Sequence, residues 1–292
     1  MVGSVNPSGS SKAFSNWART RWPLTVEVAR VRHVRQPGFA SELVADLGAT
    51  WRDRRLLAER RGERDVCWPA DETDEPLVSV RIATKDRPGA LVDRALASVL
   101  AQTYERLDVI IVGDQCDDRT EAAVRKVGDP RVRYVNLPRA GVYPTDPTRR
   151  WRVAGAKPMN VAVELAAGTW IAPCDDDDEF TPDHVERLLG FAKAERLEFV
   201  WSSSLQIDAD GTELTIGSPR FGRGCTTHGA VLYSTGLDFI RYTMTSDRVA
   251  EPADWNLMKR MRIAGVRMGF LDEVTYRYFV AGEAQYVDPA VR

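Results

Sequence analysis

Four consecutive aspartates, Asp175 to Asp178 in the stretch TWIAPCDDDDEFTP, are the densest group of chemistry-bearing side chains in this 292-residue chain. Adjacent like charges repel, so a cation is expected to offset them. Oxygen-only ligands suit a hard divalent ion, Mg2+ or Mn2+, shared with a phosphate-bearing substrate. The competing expectation is a solvated acidic turn, and the flanking residues argue against it. Trp170-Ile171-Ala172, following the helix-stop signal Ala166-Ala167-Gly168, predicts the end of a short buried strand. Thr181-Pro182 predicts an N-cap and first helical residue, with Val185, Leu188, Leu189 and Ala192 at helical spacing behind it. A strand, an acidic loop and a helix in that order set the carboxylates at a sheet edge, where open α/β folds bind ligands.

The elements that must hold this loop are legible on both sides of it. From Leu77 onward, strands at 77–83, 107–112 and 132–137 alternate with helices at 90–100, 121–127 and 158–167. That alternation implies a mostly parallel sheet with right-handed crossovers. Residues 138–156, rich in Pro, Gly and Arg without periodicity, read as a long functional loop. Beyond a helix at 183–195, strands at 199–207 and 213–216 flank an Asp210-Gly211 turn. Residues 217–250 read as irregular, with a short helix near 237–242. A helix at 253–264 stopped by Gly265 and closing strands at 268–271 and 275–279 complete the domain.

The amino-terminal quarter differs. Residues 1–16 predict a disordered tail, and 17–76 a helical appendage ending in the linker PADETDEP. Ser41 is expected to cap a helix in which Leu43, Val44, Leu47 and Trp51 share a face that continues through Leu56 and Leu57. Its other face carries Arg52, Arg54, Arg55, Arg60, Arg61 and Arg64. Either the helix packs on the main domain with a solvated basic face, or residues 41–64 dock on an anionic membrane surface or a partner.

Composition limits the alternatives. A net charge of -2 argues against a nucleic-acid partner. Cys67, Cys116, Cys174 and Cys225 form no CxxC pair, which argues against structural zinc or a disulfide framework and suits a reducing cytoplasm. No apolar run reaches the ~18 residues of a membrane span, and no signal-peptide core is present. The expectation is a soluble, cytoplasmic protein able to touch the inner face of the membrane.

Four stretches, in order, carry a resemblance: VSVRIATKDRPGAL with ASVLAQTY, then VIIVGDQCDD, CDDDDEFTP and EPADWNLMKRMRIAG. Over residues 77 to about 280 the chain resembles the family 2 glycosyltransferases, which transfer sugars from nucleotide diphosphates. The resemblance implies an α/β GT-A fold, a mixed and mostly parallel sheet flanked by helices, spanning 77–292. It also implies inverting transfer to an acceptor hydroxyl with a divalent metal, which neutralises the charge growing on the leaving diphosphate. Anchored on Pro182, the motif becomes Asp175-x-Asp177, with Asp177 the metal ligand and Asp175 or Asp176 nearer the ribose. Four aspartates leave a one-residue ambiguity. By the same resemblance Ala83, Thr84, Asp86, Arg87 and Lys157 lie at the nucleotide and its phosphates, and Asp114 accepts from the base. Asp254 takes the position of the general base that an alcohol acceptor needs. His228 and Trp255 fall on the acceptor side, or His228 completes the metal site.

Plainer roles stand beside these: a turn cap for Asp114, a helix N-terminal acid for Asp254, surface charges for Arg87 and Lys157. Two departures leave the base open. Gly113 stands where the family often has an aspartate, and Lys85 or Asp86 where it often has an aromatic residue. No histidine follows Asp254 to serve as a late metal ligand. The acceptor, whether glycan, lipid or small molecule, is not implied. A nucleotidyltransferase would want a glycine-rich phosphate loop that TKDRPG does not provide. An inactive module using the acidic loop to hold Ca2+ would have little need of Asp254.

Overall fold

The computed structural model describes residues 39–63 and 75–280. The tail 1–16, Arg64, Cys67 and most of the linker lie outside the described residues. In chain order the elements are α1 (Phe39–Glu63), β1 (Val78–Thr84), α2 (88–100), β2 (Leu107–Gly113), α3 (Asp118–Val127) and β3 (Val132–Asn136). Next come α4 (Pro147–Val153), α5 (Ala156–Leu165), β4 (Trp170–Asp175), β5 (Glu179–Phe180) and α6 (His184–Glu195). The chain continues with β6 (Phe199–Ile207), β7 (Glu213–Ile216), β8 (Val231–Ser234), α7 (Ala253–Ala264) and β9 (Met268–Phe279).

One sheet runs β3-β2-β1-β4-β8-β6-β9-β5, with β7 on β6. β3, β2, β1 and β4 are parallel, as the alternation requires. β8 then pairs antiparallel with both β4 and β6, and β9 runs parallel to β6. β1 and β2 are buried almost throughout because both faces are covered, although Ser79, Arg81, Thr84 and Asp108 are polar. Val78, Val80 and Ile82 meet Leu91, Leu96 and Val99 of α2, while Ile110 and Val112 of β2 share the opposite core with Ala162 of α5. The parallel register Ala83↔Asp175 brings the ends of β1 and β4 together, so the first aspartate is the last strand residue.

Several expectations need correction. The helix after the acidic loop starts at His184 with Asp183 as its cap position; the Thr181 hydroxyl turns instead to the Thr275 carbonyl at 3.1 Å. The stretch 138–156 contains α4, whose first turn is capped by Asp146 accepting from the Arg149 amide at 2.8 Å, with Pro147 at N1. The stretch 217–250 contains β8, a fully buried strand, and the expected helix near 237–242 is a short 3-10 turn at Thr235–Leu237. The two closing strands are one, β9, with irregular register where Ser202 and Ser203 face it.

The first helix also packs differently. Val44, Leu47 and Trp51 are exposed, and α1 turns Asp46, Thr50, Asp53 and Leu57 inward. Charge pairing with α7 decides this: Asp46 meets Lys259 at 2.9 Å, and Asp53 meets Arg260 at 2.5 Å with both side chains buried. Part of the arginine face is spent as well, Arg60 on Asp238 and Arg61 on Glu198.

Candidate active site

The acidic loop separates its four carboxylates by giving each a different main partner, although Arg87 also reaches Asp176 Oδ1 at 3.4 Å. Asp178 is buried, accepting from Tyr276 Oη and from the Phe279 amide, each at 2.9 Å. Asp176 is buried under β1, accepting from Thr84 Oγ1 at 2.7 Å. Asp177 faces Arg87 Nη1 at 2.6 Å, and Arg94 holds its carbonyl at 2.7 Å. Asp175 lies 3.3 Å from His228 Nδ1. Strand pleating explains the division, since Asp175 continues β4 while the turn after it drops Asp176 and Asp178 inward. The more open carboxylates are Asp175 and Asp177, with side chains 38% and 20% exposed.

Their acidities follow from this. Burial, with the Asp177 charge beside it, pushes Asp176 up to about 6. Burial and the Asp175 charge raise Asp177, and the same two effects drive Asp178 well above the carboxylate range. Burial would raise Asp175 too, but the His228 contact and the Arg81 charge outweigh it and hold it low.

Among the described residues no three His, Cys, Asp or Glu side chains converge into a ready metal cage. The donors nevertheless suit Mg2+ or Mn2+, ions held by one or two carboxylates with phosphate oxygens and water filling the rest. Asp177, now paired with Arg87, and Asp175 would supply those carboxylates.

The residues expected on the nucleotide side lie where β1 and β2 end. Asp86 and Gln115 both take left-handed backbone conformations, at φ +53° and +59°, a strain typical of ligand-holding turns. Asp86 accepts from the Asp117 amide at 2.9 Å, and Lys85 reaches the Gln115 carbonyl at 2.5 Å. Asp114 is buried, and both its oxygens are taken: Gly141 N–H donates at 2.9 Å and Tyr143 Oη at 2.6 Å. Lys157, expected at the phosphates, donates instead to the carbonyls of Arg139 and Ala140 and ties down that same loop. Gly113 has a steric reason. A Cβ there would lie 2.6 Å from Tyr134 Oη and 2.8 Å from Asn136 Oδ1, so β3 side chains fill the space of the missing aspartate.

α7 begins just before Asp254, whose Oδ1 accepts from the Trp255 amide at 2.7 Å. Trp255 is buried against Phe221, 5.5 Å between ring centres, so it supports the helix rather than facing a ligand. Tyr278 links the two sides: after burial, the charges of Asp178, Asp175, Asp177 and Asp254 all raise its phenol. The acidic loop and Asp254 therefore both lie close enough to Tyr278 for their charges to act on it, while Trp255 is buried. Sequence reasoning missed Arg81, Arg94, Tyr143, Tyr276 and Tyr278. Only Arg81, a charge inside an apolar strand, left a signal.

Residues 79–144 and 147–250, more than half of the chain, match the family model described as Glycosyl transferase family 2. The chain is 31% identical over 143 residues to the succinoglycan biosynthesis protein ExoO of Rhizobium meliloti, covering 49% of this chain and 37% of that protein. It is 28% identical over 130 residues to the UDP-Glc:alpha-D-GlcNAc-diphosphoundecaprenol beta-1,3-glucosyltransferase WfaP of Escherichia coli, covering 44% and 45%. Both matches thus span less than half of the relative's length. Among solved structures, S. aureus TarS 1-349 in complex with UDP-GlcNAc aligns with a TM-score of 0.56 at 19% identity, over 73% of this chain and 62% of that one. The mannosyltransferase PcManGT from Pyrobaculum calidifontis, in complex with GDP-Man and Mn2+, aligns at 0.51 and 17%, over 84% and 68%. These likenesses show the GT-A fold. With its sheet, its acidic loop and the matched segments in agreement, the chain belongs to glycosyl transferase family 2.

Proposed function

We propose that the protein transfers a sugar from a nucleoside-diphosphate donor to an acceptor hydroxyl, with inversion and with a divalent ion, Mg2+ or Mn2+. The observation that carries this is the division of labour in the acidic loop: Asp176 and Asp178 are consumed inside the fold, and Asp175 and Asp177 stay the more open pair. When bound, the ion would supply positive charge to the departing diphosphate. Asp177 and Asp175 would hold it and the ribose side of the donor. Thr84 and Arg87 position the loop, and Arg87, released from Asp177, has the charge and reach to pair with phosphate oxygens. Asp254 would take the acceptor's proton as its oxygen attacks the anomeric carbon from the face opposite the diphosphate. His228 would border the acceptor or donor sugar. The UDP-GlcNAc and GDP-Man complexes of the neighbours support a nucleotide-sugar donor and leave the base open.

The test is a thermal-shift screen of UDP, GDP, dTDP and CDP, each with and without Mn2+, followed by sugar release from the matching donor sugars. A ligand at 100 times its Kd adds about 2.7 kcal/mol of stability. Metal-dependent stabilisation and sugar release are expected. Pyrophosphate-dependent turnover would instead indicate a nucleotidyltransferase, and binding without turnover an inactive module.

No helix among the described residues is long and apolar enough to cross a membrane. For α1 we propose peripheral contact with an anionic membrane surface. Val44, Leu47 and Trp51, exposed by 69%, 40% and 67%, form one stripe beside Arg52, Arg54 and Arg55. Leu47→Glu with Trp51→Glu is expected to abolish co-sedimentation with phosphatidylglycerol vesicles and to leave turnover of a soluble acceptor intact.

A further inference from the structure

Arg81 breaks the rule that builds its strand. It lies in mid-β1 between Val80 and Ile82, flanked by β2 and β4, and is 0% exposed. A guanidinium has five N–H donors and no acceptor, and burying it with donors unmet is costly. Yet only Nη2 is engaged. It donates to Tyr242 Oη at 2.7 Å and to His228 Nε2, while the buried Nε and Nη1 have no hydrogen-bond partner. Each buried donor left unmet costs free energy that an apolar side chain at this position would not incur. Stability is therefore a poor reason for this arginine.

The engaged nitrogen points to chemistry. Because a guanidinium can only donate, His228 must offer the lone pair of Nε2, which leaves its ring proton on Nδ1. Nδ1 lies 3.3 Å from Asp175 Oδ1, on one of the two open carboxylates of the loop. Tyr242 holds the ring from another side, its hydroxyl 2.9 Å from Nε2 and its own ring edge-on at 5.6 Å and 80°. Asn160 anchors that segment through the Tyr242 amide and carbonyl, each at 2.9 Å. Arg81, His228 and Asp175 thus form a directed chain from the sheet interior to the acidic loop.

We propose that Arg81 is a positioning residue of the donor site: acting through His228, it fixes which ring nitrogen carries the proton and so aims the Asp175 carboxylate at the nucleotide–metal complex. The inference rests on Asp175 and Asp177 being the donor-binding pair. Groups that orient a ligating side chain in this way change affinity by about 10- to 100-fold when removed.

Two measurements test it. The chain has three histidines, so the ring nitrogens of His228 can be assigned in 15N-labelled protein. The Nδ1–H tautomer is expected in the wild type and its loss in Arg81→Met; a wild-type ring protonated on Nε2 overturns the proposal. Calorimetry with UDP–Mn2+ and GDP–Mn2+ supplies the second. Arg81→Met is expected to melt at or above the wild-type temperature and to bind the preferred nucleotide about 10- to 100-fold more weakly. In a His228→Ala background the same change should add little, since the link is already cut. Full additivity, or a folded Arg81→Met within twofold of wild type, overturns the role. If Arg81→Met does not fold, His228→Ala alone decides, and unchanged affinity there also overturns it. Asp177→Ala, run beside them, separates the readings. Its loss of binding with Arg81→Met unaffected sinks only this inference, and its normal binding sinks the donor site as well.

Discussion

At the scale of single residues, neighbouring aspartates are expected to fail in different ways. Asp178 satisfies a buried amide and a buried phenol, so Asp178→Ala strands both donors. Each such loss costs roughly 1–3 kcal/mol, which urea denaturation would register. The Asp177 carboxylate pairs with half-exposed Arg87 and the Arg94 contact is to its carbonyl, so Asp177→Ala should melt like the wild type while losing Mn2+-dependent nucleotide binding. Equal loss of stability in the two variants would refute that division. Asp254→Asn keeps the cap on the Trp255 amide, because an amide oxygen also accepts. It removes the ability to take a proton, so kcat for transfer should fall by about 10²- to 10⁴-fold with donor affinity unchanged. A variant with a lower melting temperature and wild-type kcat would make Asp254 a helix cap and nothing more.

At the scale of elements, the acidic loop was legible because periodicity, a proline and a glycine stop frame it. The helix start was not, because Thr181 is also tied to Thr275, 94 residues away, its amide donating to that carbonyl at 3.0 Å and its hydroxyl lying 3.1 Å from both that carbonyl and Asp183 Oδ1. β8 escaped for a related reason. Four residues buried on both faces carry no alternation, and their pairing with β4 and β6 is entirely non-local. Asp146-Pro147, by contrast, was a readable start signal for α4 lost in a proline-rich background. The start of α6 also has a titration consequence. His184 is fully buried, stacked on Phe180 at 3.9 Å, with Nδ1 3.0 Å from the Thr275 carbonyl. Burial lowers it to about 3, although the Thr275 contact and Asp183 pull the other way. Between pH 6.5 and 3 the unfolded chain binds a proton that the folded protein refuses, so stability falls as pH falls through that window. At pH 5 the loss relative to neutral pH is about 2 kcal/mol from this residue. Urea midpoints at pH 7 and 5 should differ by less in His184→Asn than in wild type, and an equal difference would assign the effect elsewhere.

At the scale of the whole molecule, α1 and α7 are one structural unit joined by charge. α7 carries Asp254 at its start and Lys259 and Arg260 along its length, and the latter two meet Asp46 and Asp53 of α1. Lys259 also meets Glu251, just ahead of α7, at 2.7 Å. The sequence pattern pointed to an apolar face as the contact of α1, whereas the contact is largely ionic, and helical periodicity cannot see pairings across 207 residues. Burial raises Asp53 even against the attraction of Arg260, a sign that the pair is short of solvent. Removing one member of a buried pair typically costs about 3–5 kcal/mol because it strands the other charge, whereas replacing both with apolar residues is often neutral. Asp53→Ala is therefore expected to lower stability by about that amount, and Asp53→Leu with Arg260→Met to recover most of it. Turnover per folded molecule should fall in Asp53→Ala as α7 loosens and Asp254 loses its fixed place, and the double variant should restore it in step with stability. A fragment beginning at residue 76 would lack both partners of α7 and should show the larger defect. If that fragment folded and turned over like the full chain, α1 would be dispensable to the catalytic body, and the ionic seam would not be what holds Asp254 in place.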